Sequence, residues 1–170
     1  MVVSHLSGID LAAAIEKRFP GSVLDSDQAA VWTEHGMMPD IAEYLKNNPE
    51  LSFDFLNSIS AVDFIEYFEV VYHLTSIVNQ HDTVVKTRLY GREELSMPSV
   101  YHVWRGADFQ EREIWDLMGI RFNGHPNMKR LLLWEGFEGH PLRKDFLLSL
   151  IHISEPTRPR LISYAVFCLK

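Results

Sequence analysis

Asn57-Ser58-Ile59-Ser60-Ala61-Val62-Asp63-Phe64, Tyr67-Phe68-Glu69-Val70-Val71-Tyr72-His73-Leu74-Thr75-Ser76 and Thr83-Val84-Val85-Lys86-Thr87-Arg88-Leu89 follow one another with only short gaps. The first two runs are rich in Ile, Val, Phe and Tyr, side chains that suit a pleated, half-buried surface. The third sets Val84, Lys86 and Arg88 against Val85, Thr87 and Leu89, the two-residue period of a strand with one face in the core. Three successive strands make the centre of a sheet, and the flanks supply what covers it. Upstream, Gly8-Ile9-Asp10 opens a helix carrying Leu11, Ala14, Ile15 and Phe19 at helical spacing, and Pro20-Gly21 stops it. Ser22–Asp25 and Ala29–Thr33 read as short strands around Asp25-Ser26-Asp27. Met38-Pro39-Asp40 starts a second helix with Ile41, Tyr44 and Leu45 on one face, ended by Asn47-Asn48-Pro49. Phe53-Asp54-Phe55-Leu56 reads as a turn.

Downstream, Arg92-Glu93-Glu94 reads as a solvated loop and Val100–Val103 as a short extended piece. Gly106 to Met118 reads as a helix closed by Gly119 in the C′ position. Beyond it, glycines and prolines punctuate the chain to Phe146, which predicts an ordered but irregular arm. The fold class is therefore α+β: a mixed β-sheet with helices packed on one side, followed by an irregular C-terminal arm. The α+β domain spans residues 1–107, and the helix and arm of residues 108–147 belong to the same unit.

From about Leu148 the character changes. Leu148-Ser149-Leu150-Ile151-His152-Ile153-Ser154-Glu155-Pro156-Thr157-Arg158 resembles one reading frame of a transposase-type sequencing adapter. Pro159-Arg160-Leu161 fills the place of a variable index, Ile162–Leu169 resembles the adapter's far end, and Lys170 fits a run of A. Residues 148–170 are expected to be non-native read-through and are set aside from fold reasoning. The native chain is then expected to be interrupted near Leu147.

The one cysteine, Cys168, lies in that excluded stretch. The remainder offers no disulfide, thiolate metal site or iron–sulfur ligand set. No apolar run approaches the roughly 20 residues of a membrane-spanning helix, and the start has no basic flank of a secretory signal, so a soluble cytoplasmic protein is expected. Residues 1–104 hold 15 acids against 6 Lys and Arg, whereas residues 105–147 hold 7 against 7. An acidic front excludes a phosphate-binding footprint and so argues against nucleic acid. The balanced, crowded back third suits paired contacts, where charges are tolerated only when matched.

That back third holds the candidate site. Glu111-Arg112-Glu113-Ile114-Trp115-Asp116-Leu117-Met118 sits on the predicted helix, with Glu111, Trp115 and Met118 on one side and Arg112 placed to pair with Asp116. Trp115 is expected to dock on the chain's own sheet. Two copies of Phe-x-Gly-His-Pro follow, at 122–126 and 137–141. Gly124 and Gly139 permit backbone turns closed to other residues, and Pro126 and Pro141 restrain His125 and His140. The imidazoles read as hydrogen-bonded struts of the arm more readily than as a metal or proton-relay pair, because no further ligands stand at metal spacing. Arg143-Lys144-Asp145 then reads either as a fork for a partner's carboxylate or as a solvated tail. Glu113 and Asp116, three apart, offer a weak acid–base pair, and a stand-alone acid–base enzyme using them with His125 is the remote alternative.

Glu-Arg-Glu, two residues, an acid and two apolar residues, then His125, Lys129, Leu131 and Leu132 at set intervals, and the ending Gly-His-Pro-Leu-Arg-Lys-Asp-Phe, together resemble the signature of the 30 kDa subunit family (the C subunits) of proton-translocating NADH:quinone oxidoreductase, respiratory complex I. The resemblance covers about residues 99–147. It implies a peripheral-arm subunit that binds no cofactor itself, while FMN and iron–sulfur clusters sit in partner subunits and NADH and quinone are substrates of the whole. It implies packing beside the large quinone-site subunit, an arm wrapped on iron–sulfur subunits, and a place at the cytoplasmic side of the bacterial plasma membrane. The interface residues it implies are Glu111, Arg112, Glu113, Asp116, Gly124, His125, Pro126, Arg130, Gly139, His140, Pro141, Arg143, Lys144 and Asp145. The equivalent subunit of a membrane-bound hydrogenase or another quinone-reducing complex is the nearer alternative.

Overall fold

The computed structural model describes residues 4–146; the adapter-like stretch from Leu148 lies outside the described residues. The elements are β1 (Ser4–His5), α1 (Gly8–Arg18), β2 (Val23–Ser26), β3 (Val31–Thr33), a short 3-10 turn, α2 (Met38–Asn47), β4 (Phe55–Asp63), β5 (Tyr67–Ser76), β6 (His81–Tyr90), β7 (Ser96–Pro98), α3 (Ala107–Met118) and β8 (Arg121–Asn123). The main sheet runs β2-β3-β6-β5-β4, with β1 also paired to β6. The β4–β5–β6 meander is antiparallel, while β3 and β1 lie parallel to β6, so the sheet is mixed. A separate parallel pair joins β7 to β8.

Alternation decides which face is covered. Phe68, Val70, Tyr72 and Leu74 of β5, with Val85 and Leu89 of β6, point to one side and are buried. Leu11 and Ile15 of α1, Met38, Ile41 and Leu45 of α2, and Ala107 and Ile114 of α3 close over that same side as one core. The opposite face is more polar, although Trp32, Glu69 and Val71 are buried there. There the Trp32 indole N–H donates to Glu69 (2.8 Å), and Lys86 lies over the Trp32 ring.

Local chemistry accounts for the boundaries. Ser7 caps α1 by accepting the N–H of Ile9. Pro39 sits in the first turn of α2, where its missing N–H costs nothing. Gly119 ends α3 at φ 76°, the left-handed conformation that a C′ residue needs.

Strands β1 and β8 are additional to the sequence reading, and three further segments differ from it. Phe55 and Leu56 belong to β4 rather than to a turn. Residues 100–104 form a tight turn, with the N–H groups of Val103 and Trp104 both donating to the Val100 carbonyl (3.0 Å each), and the extended piece lies just before it, at β7. Arg92 is not a solvated loop residue but the centre of an ion-pair cluster described below. In the first two cases a strand boundary moves by a few residues because the partner strand, and not local composition, selects the register.

Gly8 packs so closely that a Cβ there would lie 2.2 Å from the Ala30 carbonyl oxygen and 2.5 Å from that of Asp27. Backbone cannot move aside as a side-chain tip can. Gly8→Ala is therefore expected to destabilise the fold by about 2 kcal/mol or more, measured by urea unfolding; an unchanged midpoint would show that the α1 entry and the Asp27–Ala30 turn shift freely.

Candidate functional site: helix α3 and its arm

α3 turns two different faces inward. Ala107, Glu111 and Ile114 face the core, and Asp116 is equally buried but faces the arm. Trp115 is half-buried and is not part of the core; its ring lies beneath the Arg130 guanidinium at 5.9 Å. Ile114 takes the place on the sheet that the spacing predicted for Trp115.

Asp116 organises the arm. Its Oδ2 accepts the N–H groups of Leu131, Leu132 and Leu133 at 3.0, 2.8 and 3.0 Å, and its Oδ1 pairs with Arg130 at 2.7 Å. Burial alone would push this carboxyl up. The amides of Leu133, Leu132 and Leu131 and the Arg130 guanidinium more than reverse that and bring it down to about 2. Arg130 reaches on to the Phe137 carbonyl (2.8 Å). The Arg112–Asp116 pair expected from spacing does not form. Arg112 instead donates to the carbonyls of Lys129 (3.1 Å) and Arg130 (3.3 Å), because Arg130 and three amides of the arm already occupy Asp116.

The two imidazoles are struts. His125 is enclosed, with Nδ1 accepting the N–H of Asn127 (3.0 Å), which leaves Nε2 to carry the proton toward Asp108 (3.3 Å to its carbonyl). His140 donates from Nδ1 to the Asp116 carbonyl (2.9 Å). Burial, with the charges of Arg143 and Arg130, holds His140 below the ordinary histidine value despite that bond. A Cβ on Gly119 would lie 2.5 Å from the His140 ring and 2.7 Å from Arg143, so this glycine both turns the chain and leaves room for the arm.

The end of the arm is clamped to the sheet. Arg143 donates to the carbonyls of Met118 (2.6 Å) and Arg92 (2.8 Å). Its fork is thus spent inside the chain. Arg92 holds Asp63 with both terminal nitrogens (2.6 and 2.8 Å) and also pairs with Asp145 (2.9 Å). The Arg92 guanidinium is the main reason Asp63 titrates well below the usual carboxylate range, and the amides of Lys144 and Ile65 add to it. Asp63 and Arg92 escaped the sequence reading. They stand 29 residues apart, and no local pattern links them.

Glu111 is the opposite case. It is fully buried, yet it receives only the Ser99 hydroxyl (2.6 Å) and the Val100 amide (2.8 Å). Burial pushes its carboxyl up to about 7; those two bonds oppose the shift and the charge of Asp108 reinforces it. Glu113 is exposed and borders a small cleft of about 170 Å³ with Ile114, Leu117, Met118 and Leu142. The Lys144 side chain and Pro126 are also exposed, Pro141 is half-buried, and Gly124 and Gly139 both turn the chain at φ 85°. His125 lies against Asp108, about two helical turns from Asp116. Glu113, Asp116 and His125 are therefore not brought together as an acid–base set. Among the described residues no group of three or more His, Cys, Asp or Glu is placed to hold a metal.

What α3 and the arm form is a rigid polar scaffold with apolar side chains left outside. Leu132, Trp134 and Leu142 of the arm and Phe109 of α3 are all more than half exposed. A profile of the family described as respiratory-chain NADH dehydrogenase, 30 Kd subunit, matches residues 31–150. The chain belongs to this family. The NADH-quinone oxidoreductase C 2 subunit of Rhizobium etli (strain CIAT 652) is 41% identical over 148 residues, covering 80% of this chain and 75% of that protein. The C 2 subunit of Rhizobium meliloti (strain 1021) is 48% identical over 112 residues; the match covers 64% of this chain and spans 60% of that relative's length. The C subunit of Roseiflexus castenholzii (strain DSM 13941 / HLO8) is 39% identical over 140 residues, covering 78% of this chain and 80% of that protein. Among solved structures, a chain of the membrane-bound sulfane sulfur reductase, an archaeal respiratory membrane complex, shares the fold with a TM-score of 0.68 at 24% identity, over 85% of this chain and 88% of that one.

Two buried carboxylates of one 30 kDa-family helix should respond to pH with opposite sign. Unfolded Asp titrates near 4, so the stabilisation from Asp116, about 2 kcal/mol, is complete above that pH and is lost as pH falls toward 2. Asp116→Asn at neutral pH should loosen the arm by about 3 kcal/mol, seen as faster hydrogen exchange at Leu131–Leu133 while β5 stays protected. Unchanged exchange would deny Asp116 its organising role. For Glu111, whose folded value is raised, stability is greatest below about pH 4.5 and declines by about 3 kcal/mol as pH climbs to 7. Glu111→Gln should raise the melting temperature at pH 8 and flatten its decline between pH 5 and 7; a variant that melts lower at pH 8 would refute the assignment.

Proposed function

We propose that this chain is a peripheral-arm subunit of a proton-pumping NADH:quinone oxidoreductase that binds no cofactor of its own. It scaffolds the quinone-site subunit and iron–sulfur subunits while electrons pass from NADH to quinone through FMN and clusters held elsewhere. In this reading it lies at the cytoplasmic side of the plasma membrane, attached through the complex, and the isolated chain turns over no substrate. Among the described residues no helix is long and apolar enough to cross a membrane, which fits attachment through partners.

The observation that carries the reading is the division of labour in the arm. The charged groups of α3 and the arm, Asp116, Arg130, Arg143 and Asp145, are used up in holding the chain against itself. Among exposed charges such as Lys129, Glu135 and Glu138, large apolar side chains are also left outside, with Leu132, Trp134 and Leu142 exposed. An irregular arm fixed in advance loses little freedom when it docks, and exposed aromatic and aliphatic anchors supply the contact. A catalytic arrangement has less support: Asp116 has its acceptor sites filled, and Glu113 stands apart from His125. The interface role of the fourteen signature residues is thus proposed in a divided form. Asp116, Arg130, His140 and Arg143 shape the arm, and neighbouring apolar residues touch the partner.

A tagged chain with its native end restored, recovered from detergent-solubilised membranes, tests this directly. Flavin, iron–sulfur and quinone-site subunits should co-purify with NADH:quinone activity. Trp134→Ala should cut their recovery several-fold, as expected of an aromatic anchor worth roughly 2 kcal/mol, without lowering the melting temperature of the free chain. Recovery of a nickel-bearing hydrogenase subunit would instead assign the chain to that relative, and recovery of the chain alone would overturn the assembly.

A further inference from the structure

The turn between β4 and β5 is built against local preference. Phe64 donates its N–H to the Tyr67 carbonyl (2.9 Å), which leaves Ile65 and Glu66 as a two-residue hairpin loop. Ile65 sits at φ 74°. Tight hairpins ask for a positive φ here, and glycine, asparagine or aspartate normally supplies it. A β-branched residue in that region is an outlier. The other non-glycine residues with positive φ among those described are Ser52, Gln80 and Glu94, none of them β-branched. The strained isoleucine does not bury itself in return, for it is 62% exposed.

The strain is over-determined by its surroundings. The Ile65 N–H donates to Asp63 Oδ1 (2.7 Å) and its carbonyl accepts from Arg92 (3.0 Å). Arg92 is in turn locked on Asp63 and Asp145, so the hairpin tip is held from both sides by the same ion pairs that clamp the arm. Strain that surrounding structure maintains is a marker of function. Beside the tip, Val62, Phe64 and Tyr90 are exposed, and the Phe64, Tyr67 and Tyr90 rings pack in series at 5.0 and 5.8 Å. Acids prevail around this knob: Glu66, Glu93 and Glu94 are exposed and make no ion pair among the described residues, Arg92 is neutralised by its two aspartates, Arg88 over the Tyr67 ring pairs with Glu69, and Lys144 beside Asp63 is an exposed cation.

We propose that the β4–β5 hairpin is a docking knob, with Ile65 entering an apolar socket, rimmed by lysine or arginine, on a neighbouring protein subunit. A rigid tip ringed by tyrosine and phenylalanine offers aromatic anchors of the kind on which interface hot spots are built. The unpaired carboxylates select a cationic rim by complementarity. They also disfavour an anionic lipid surface, which repels them. The proposal rests on the reading that the chain works within an assembly.

The test uses the full chain in native membranes, with a benzophenone photo-crosslinker at position 65, alongside Ile65→Gly and Ile65→Asp. The crosslinker should join one partner subunit at an apolar segment flanked by Lys or Arg. Ile65→Gly should hold or raise the melting temperature of the free chain by a few degrees, since glycine accepts this φ without strain. Both variants should lower partner recovery about tenfold. Crosslinking only to lipid or to a second copy overturns the proposal. So does full partner recovery in both variants, or an Ile65→Gly variant that melts lower and assembles normally. Those results leave the assembly reading standing, whereas the unaltered chain recovered without partners removes both.

Discussion

One buried carboxylate sets the path of the arm. From residue 124 to 146 the chain has no ladder of strand or helix bonds to hold it. Asp116 substitutes for that ladder by gathering three consecutive backbone amides on one oxygen and a guanidinium on the other. Bonds to a charged acceptor are worth roughly 1.5–3 kcal/mol each, so this single side chain rivals a short element of secondary structure. Arg130 extends the effect to the Phe137 carbonyl, and the Asp116 carbonyl fixes His140. A second clamp, Asp63–Arg92–Asp145, then ties the end of the arm to the sheet.

The contrast with Glu111 shows how donors offset burial in setting a carboxylate's state. Asp63 and Asp116 each receive four or more bonds, including a guanidinium, and stay ionised well into acid. Glu111 lies deeper in the protein, receives two bonds and no cation, and burial raises it toward neutrality. Helix α3 thus carries a charge that anchors the arm and another that strains the core at neutral pH.

Membership of the 30 kDa subunit family gives this economy a context. The dense run of charge around residues 111–116 looks in isolation like an active site or an ionic interface. In the folded chain Glu111, Arg112 and Asp116 are committed to the chain itself, and Glu113 stays exposed. Opposite charges paired in fixed geometry build a surface that can be met without reorganising it.

The α+β class, the three helices, the central meander and the arm were legible in the sequence because each rests on local periodicity or on a residue with a fixed backbone role. Val85, Thr87 and Leu89 alternate, Gly119 stops a helix, and Phe-x-Gly-His-Pro bends a chain without regular bonds. The family signature was legible too, since it is a matter of residue identity and spacing. What only the tertiary structure decided is which charges meet. Arg112 stands four residues from Asp116, but Arg130, fourteen away, takes it. Arg92 looks solvated beside Glu93 and Glu94, yet it joins Asp63 to Asp145 across 29 and 53 residues. Trp115 yields the core to Ile114, and Glu111 loses water without gaining a cation. The physical reason is common to all four. Helical and strand periods constrain neighbours in the chain, whereas burial and ion pairing depend on which distant backbone arrives at the same place.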